Sequence, residues 1–228
     1  MSSRAAGPVP GRFGILGGTF DPIHHGHLAI AEAARDALGL ERVVFVPARQ
    51  PPHRPDRPIA SADDRAAMVA LAIAPNPAFT MSRVELERDG PSFAVDTVVA
   101  FADEERKAGR EPALWFILSA EAFAGFLDWR EPGRILETCR LAVLPRDGHP
   151  PADPGPVAAA FPALADRVHS LDGPRLRLAA TEIRRRAARG FSVRYLVPDA
   201  VATYIGDHSL YRDGDPAARA RARGDDAS

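Results

Sequence analysis

Apolar residues follow two patterns along this chain. Short unbroken runs are typical of strands buried on both faces, and they occur in four places with two weaker candidates. The predicted strands cover residues 13–16, 43–46, 79–84, 114–118, 141–144 and 168–171. Between them, apolar residues recur every three or four positions, as on one face of a helix. The predicted helices cover residues 28–38, 61–74, 92–107, 181–189 and 198–206.

Polar residues and prolines indicate where these segments begin and end. Ser61, with Asp64 three residues later, predicts a capped start for the second helix, and Ser92 is predicted to cap the third. The proline-rich segments 47–58 and 145–156 predict loops, because proline lacks the backbone donor that helices and sheets require.

The alternation of strands and helices predicts the fold class. It favours an α/β protein with a doubly wound, Rossmann-like parallel sheet and helices on both faces. Ligands of such sheets bind at the carboxyl ends of the strands. We expect one domain over residues 13–211 of the 228, with residues 1–12 and 212–228 as flexible tails.

The amino-acid composition indicates which partners and which cellular compartment to expect. The chain has 29 Lys and Arg against 30 Asp and Glu, a net charge of −1, so we expect no nucleic-acid partner. With Cys139 as its only cysteine it forms no internal disulfide, which favours a reducing cytoplasm. No apolar run is long enough to span a membrane, and residues 1–12 lack the pattern of a secretion signal. Assembly into a homo-oligomer is left open.

A glycine turn follows the first predicted strand. Gly17 and Gly18 lack Cβ atoms, so backbone N–H groups can approach a ligand closely, and such turns favour anions. His24 and His27 are three residues apart, which places both imidazoles on one side of a helical turn near its positive end. We expect both to face one phosphate, with Gly26 leaving room for a nucleotide.

Two other interpretations of this region remain. A glycine turn can be only a tight connection between strand and helix. Imidazoles at this spacing can also ligate a metal ion, although no carboxylate or cysteine partner is evident. The histidines available for such a site are His24, His25, His27 and His53.

Residues 17–27 resemble the signature of the HxGH nucleotidyltransferases, specifically bacterial nicotinate-nucleotide adenylyltransferases. Their sequence is GGTFDPIHHGH. Further blocks that resemble this family occur in the same order at residues 51–54, 85–97, 126–129, 181–184 and 195–198. The resemblance extends over residues 13–211, and several ordered blocks are far more specific than a glycine turn alone.

The resemblance implies an activity and a set of site residues. The activity is adenylyl transfer from ATP, with Mg²⁺ bound to it, to nicotinate mononucleotide, giving deamido-NAD and pyrophosphate in NAD biosynthesis. No resident metal site is implied. The implied catalytic residues are His24 and His27. The implied ATP- and phosphate-binding residues are Gly17, Gly18, Thr19, Phe20, Gly26, Ser119, Glu121, Thr181 and Arg184. The implied acceptor-binding residues are His53, Arg54, Ala94 and Trp129, the last stacking on the nicotinate ring.

Several implied residues also have a simpler interpretation. Trp129 could fill space in the core, and His53 and Arg54 could be solvated loop residues. Arg184 lies in an arginine-rich helix, most of which is expected to form a solvated face. Ser119 and Glu121 are as easily structural as functional.

Three departures from the family pattern lie on the substrate side. Glu121 stands where the family has an aspartate, and Ala179 and Ala180 replace two serines. Ala94 lacks the hydroxyl expected near the pyridine carboxylate. The acceptor therefore stays open between nicotinate mononucleotide, nicotinamide mononucleotide and another phosphate monoester. A nucleotide-binding regulator without turnover is the remaining hypothesis.

Overall fold

The protein is described by a computed structural model that covers residues 8–51 and 59–212. The six strands within these residues are β1 (Val9–Gly18), β2 (Leu40–Pro47), β3 (Phe79–Met81), β4 (Ala113–Ser119), β5 (Arg140–Leu144) and β6 (Val168–Ser170). Its eight described α-helices are α1 (His25–Leu38), α2 (Ala62–Ile73), α3 (Ala94–Lys107), α4 (Ala120–Ala124), α5 (Pro132–Thr138), α6 (Gly155–Ala160), α7 (Ala180–Ala188) and α8 (Asp199–Asp207). Two 3-10 helices span Phe126–Asp128 and Pro162–Arg167.

The strands form one parallel sheet in the order β3-β2-β1-β4-β5-β6. This order confirms the predicted doubly wound, Rossmann-like fold. The chain winds outward from β1 through β2 to β3, and then from β4 in the opposite direction. The reversal between β1 and β4 opens a crevice at the carboxyl ends of these neighbouring strands, which is where such folds bind ligands.

Side chains alternate between the two faces of the sheet and enter two separate cores. In β1 and β4, Leu16 and Ile117 pack on the face covered by α1, α2, α7 and α8. Ile15 and Phe116 pack on the opposite face, which α3 and α5 cover. Because helices cover both faces, these strands are apolar at successive positions, and this is why they read as unbroken runs in the sequence.

The ends of the helices agree only partly with prediction. Ser61 caps α2 as predicted, since its hydroxyl accepts a hydrogen bond from the Asp64 N–H at 3.1 Å. The prediction for Ser92 was wrong, because the N-cap of α3 is Phe93. The Ser92 hydroxyl instead accepts from the Arg49 N–H at 3.0 Å, tying the chain before α3 to the segment that follows β2.

Three helices were not predicted, and α1 begins three residues earlier than expected. The new helices, α4, α5 and α6, have only five to seven residues each, too few for an apolar period to be recognised. Within the two described ranges, the chain has no helix both long and apolar enough to cross a membrane.

Candidate active site

The first crossover places two histidines side by side at the carboxyl end of β1. His24 is the N-cap residue of α1, and its ring stacks on that of His27, with centroids 3.8 Å apart and 24° between the planes. The His24 N–H donates to His27 Nδ1 at 3.2 Å. Phe20 lies edge-on against His27 at 5.1 Å, supporting the pair from the core. The two imidazoles therefore share one environment, as their spacing predicts.

The surroundings of His24 favour an anionic ligand. Its side chain is only 3% exposed, and burial, reinforced by Arg146 and His25, lowers the pKa of His24 to about 4. Within the described part of the chain, His24 Nδ1 is buried with no hydrogen-bond partner. The first turn of α1 carries no acidic side chain, so the positive end of the helix dipole is not neutralised there.

The low pKa of His24 predicts a pH-dependent stability. The folded pKa of about 4 lies below the ordinary value of 6.5, so the unfolded chain binds the proton more readily between these values. The stabilisation is present above pH 6.5 and is lost as pH falls towards 4. From pH 7.5 to 5.0, the free energy of unfolding should fall by about 2 kcal/mol more in the wild type than in His24→Asn.

Urea unfolding at the two pH values measures this difference. Asparagine is a suitable control because it serves as an N-cap residue and does not titrate. Equal losses of stability in the two proteins would contradict a buried, neutral His24.

The structure gives Gly26 and Phe20 structural roles near the histidine pair. A Cβ atom at Gly26 would lie 3.0 Å from both Cε1 and Nδ1 of His24, so glycine here allows the His24 ring to lie against the helix. Phe20 has a φ of +50° and is 2% exposed, and its side chain belongs to the core. Any contact of Phe20 with a ligand would therefore come from its backbone.

The glycine turn borders a cavity of about 270 Å³. Gly17, Gly18 and Thr19 line one part of it, and Ala94 and Trp129 line another. The structure thus brings the predicted phosphate turn and two predicted acceptor residues to one cavity. The other two, His53 and Arg54, lie outside the described residues. We call this space the turn cavity.

Trp129 is held at the turn cavity by aromatic neighbours. It follows the 3-10 helix Phe126–Asp128, and its ring lies edge-on to Phe116, with centroids 6.1 Å apart, and 5.6 Å from that of Phe126. It is half-buried. A rigidly held, partly open indole is a suitable surface for a flat ring.

Ser119 and Glu121 stand at the carboxyl end of β4. The Ser119 hydroxyl caps α4, accepting from the Ala122 N–H at 3.3 Å. Glu121 is exposed and lines a second cavity of about 520 Å³ together with Arg146. Its carboxylate lies 3.4 Å from Arg146 Nε, so this glutamate is already paired with a cation.

Thr181 and Arg184 lie on α7, close to the segment that follows the glycine turn. Arg184 Nη1 donates to the carbonyl oxygen of Asp21 at 2.6 Å, and Nη2 donates to the Thr181 hydroxyl at 3.4 Å. The guanidinium is only partly buried, so a ligand can still reach it. These contacts place Arg184 near the histidine pair through Asp21.

Arg65 was missed by the sequence analysis although it organises the crevice. It is 1% exposed, and its guanidinium donates to the carbonyl oxygens of Thr19 at 2.7 Å and Ala48 at 2.6 Å. Longer bonds reach Arg49 at 3.2 Å and Ala60 at 3.3 Å. One side chain therefore links the glycine turn, the end of β2 and the start of α2. The sequence feature that could have identified Arg65 is its position on the apolar face of a predicted helix.

Asp21 was also missed. Its carboxylate is 4% exposed and accepts from the N–H groups of Ile59 at 2.9 Å and Ala60 at 3.2 Å. It also accepts from the Tyr211 hydroxyl at 2.8 Å. Asp21 thus ties the segment after the glycine turn to the far end of the described chain.

Two features concern metal binding and cysteine chemistry. In the described part of the chain, no three His, Cys, Asp or Glu side chains cluster as a metal site would require. Cys139 is buried, and burial raises the pKa of its thiol to about 12, so it is not a reactive nucleophile.

Comparison with known proteins identifies the family of this chain. The sequence profile of the cytidylyltransferase-like family matches residues 15–186, well over half of the chain. The chain belongs to this family. This cytidylyltransferase-like chain is 45% identical, over 205 residues, to a protein of Symbiobacterium thermophilum named "probable nicotinate-nucleotide adenylyltransferase". The match covers 90% of this chain and 97% of the relative. A Thermus thermophilus protein of the same name is 44% identical. That match covers 88% of this chain and 100% of the relative.

Solved structures share the fold of this family member. A Plasmodium falciparum nicotinic acid mononucleotide adenylyltransferase complexed with APC aligns with a TM-score of 0.67 at 16% identity. The alignment covers 88% of this chain and 96% of that one. The same enzyme complexed with NaAD gives the same TM-score. At this identity the likeness supports the Rossmann-like architecture alone.

Proposed function

We propose that this protein is a nicotinate-nucleotide adenylyltransferase, which makes deamido-NAD and pyrophosphate from ATP and nicotinate mononucleotide, a step of NAD biosynthesis. The observation that carries the proposal is the stacked pair of His24 and His27 at the end of β1, beside a cavity that the glycine turn and Trp129 both line. The names of relatives that are 44–45% identical to this chain over the aligned residues support it.

The reaction needs placement and charge stabilisation rather than a covalent enzyme intermediate. A phosphate oxygen of the mononucleotide attacks the α-phosphorus of ATP, and the bond from that phosphorus to the departing pyrophosphate breaks. Negative charge then accumulates on the non-bridging oxygens of the α-phosphate in the adenylyl group that is transferred. His24, His27 and the N-terminus of α1 provide donors and positive potential where this charge develops.

The low pKa of His24 fits this role. A neutral imidazole avoids the cost of a buried, unpaired charge. The phosphates of ATP raise the pKa of a neighbouring imidazole, which favours a protonated donor once the nucleotide is bound.

The remaining residues divide between the two substrates. ATP enters as its Mg²⁺ complex, with Arg184 and Thr181 at the outgoing phosphates and Ser119 and Glu121 on the nucleoside side. The pyridine ring stacks on Trp129, a contact that is worth on the order of 1 kcal/mol beyond the area it buries. We place the protein in the cytoplasm, because a chain with a single cysteine suits a reducing compartment.

The direct test is pyrophosphate release from ATP and Mg²⁺ in the presence of each acceptor. We expect release with nicotinate mononucleotide and the appearance of a dinucleotide with the mass of deamido-NAD. Omission of the acceptor is the control for simple ATP hydrolysis. If no mononucleotide supports pyrophosphate release while ATP still raises the melting temperature, the protein is a nucleotide-binding regulator instead.

One observation favours a second acceptor. Ala94 lines the turn cavity with a methyl group, which gives a pyridine carboxylate no hydroxyl donor. Nicotinamide mononucleotide is therefore the alternative substrate, and the assay should include it beside the acid.

A further inference from the structure

Two charged side chains of the described residues line the turn cavity, Glu85 and Arg130. Glu85 is 6% exposed and accepts a hydrogen bond from the Thr97 hydroxyl at 2.6 Å. Burial raises the pKa of Glu85, which favours its neutral form. Arg130 is exposed enough to keep its charge in contact with water. The wall of the turn cavity therefore carries the Arg130 guanidinium and the buried carboxyl group of Glu85.

Arg130 lies beside the position where the expected hydroxyl is missing. Its guanidinium carbon sits 4.8 Å from the centre of the Phe93 ring, and Phe93 directly precedes Ala94. Trp129 is the residue before Arg130, so the predicted platform for the pyridine ring and this cation are adjacent in the chain. Both residues line the turn cavity, so a ring that contacts Trp129 lies in the same cavity as the Arg130 side chain.

The charge of Arg130 is only partly neutralised by its neighbours. Arg130 Nε lies 3.5 Å from Glu131 Oε1, while the other oxygen of Glu131 lies 3.3 Å from Arg134 Nη1. One carboxylate is thus shared between two guanidinium groups. The three side chains together keep a net positive charge, and Arg130 is the one that lines the turn cavity.

We propose that Arg130 is a specificity-determining residue, which favours a pyridine carboxylate over a carboxamide in the acceptor. The inference rests on the proposed function and names the feature of the acceptor that the turn cavity selects. A carboxylate is anionic at neutral pH and accepts charge-assisted hydrogen bonds from a guanidinium, whereas a carboxamide is neutral. Arg130 thereby compensates for the hydroxyl that Ala94 does not provide.

The test compares the two acceptors in matched variants. The value of kcat/KM is measured with nicotinate mononucleotide and with nicotinamide mononucleotide for the wild type, Arg130→Leu, Arg130→Lys and Arg134→Leu. The acid-to-amide ratio should fall at least about tenfold in Arg130→Leu, the usual effect of one charge-assisted hydrogen bond. Arg130→Lys should keep part of the preference, since it retains the charge without the planar fork.

Arg134→Leu is the control because Arg134 shares the same carboxylate but does not line the turn cavity. Its acid-to-amide ratio should stay within about twofold of the wild type. The ratio is insensitive to misfolding, which lowers both rates alike. An unchanged ratio in Arg130→Leu, or an equal fall in Arg134→Leu, would overturn the inference. A wild type that uses neither acceptor would instead overturn the proposed function.

Discussion

Replacing His27 by alanine is expected to lower kcat by about 10²- to 10³-fold, the usual effect of removing one donor from a transition state. His27 stacks on His24 at the N-terminus of α1. In the proposed reaction, negative charge on the α-phosphate of ATP develops at this place. Because this interaction strengthens in the transition state, kcat and kcat/KM for ATP should fall together. Steady-state measurement of pyrophosphate release checks this.

His208→Ala is the matched control for His27→Ala. The His208 ring also stacks on an aromatic neighbour, Tyr204, with centroids 3.8 Å apart, but it lies at the end of α8 rather than beside the glycine turn. Its removal should leave kcat within about twofold of the wild type, as expected for an exposed side chain remote from the chemistry. A His27→Ala protein that folds and keeps its full kcat would show that the imidazole pair has no part in catalysis.

Replacing Arg65 by methionine is expected to lower the free energy of unfolding by about 3 kcal/mol or more. The substitution leaves buried carbonyl oxygens without a donor, at a cost of about 1–3 kcal/mol for each one that water cannot reach. It also removes the buried cation near the Asp21 carboxylate, whose charge then loses a favourable neighbour. Urea denaturation at neutral pH measures the loss.

Arg83→Met separates this effect from the general cost of losing an arginine. Arg83 is roughly half exposed and pairs with the exposed Asp63, so its loss should change the free energy of unfolding by no more than about 0.5 kcal/mol. A loss below about 1 kcal/mol in Arg65→Met would mean that water or a relaxed backbone satisfies the carbonyl oxygens.

The sheet could be predicted from sequence because its signal is local. Strands covered on both faces are apolar at successive positions, and each of the longer runs, such as residues 43–46, became a strand. The helices α4, α5 and α6 were not predicted because they lack such a local signal. They are one or two turns long and depend on the sheet they pack against, so their own sequences carry little periodic signal.

Part of the site could also be predicted, because its residues are close together in the sequence. The glycine turn and the histidine pair lie within eleven consecutive residues, and the structure places them together at the end of β1. The residues that hold the glycine turn and its following segment in place are distant from them in the sequence. Tyr211 donates to Asp21 across 190 positions, and Arg65 reaches Thr19 across 46. Nothing in the spacing of these residues indicates such contacts, because they arise only when α2 and the end of the chain pack on the sheet.

The structure also adds a reason for a glycine that the motif includes. That Gly26 leaves space for a nucleotide stays a prediction, and its missing Cβ also makes room for the ring of His24. The sequence could show that a small residue was needed there, and only coordinates could show which neighbour requires it.

The most direct measurement of the central claim is a crystal structure of the protein with a non-hydrolysable ATP analogue and Mg²⁺. We predict that the α-phosphate lies within hydrogen-bonding distance of His24 and His27, with the glycine turn around the phosphates and the turn cavity free for the acceptor. An analogue bound with its α-phosphate away from both imidazoles would contradict the account.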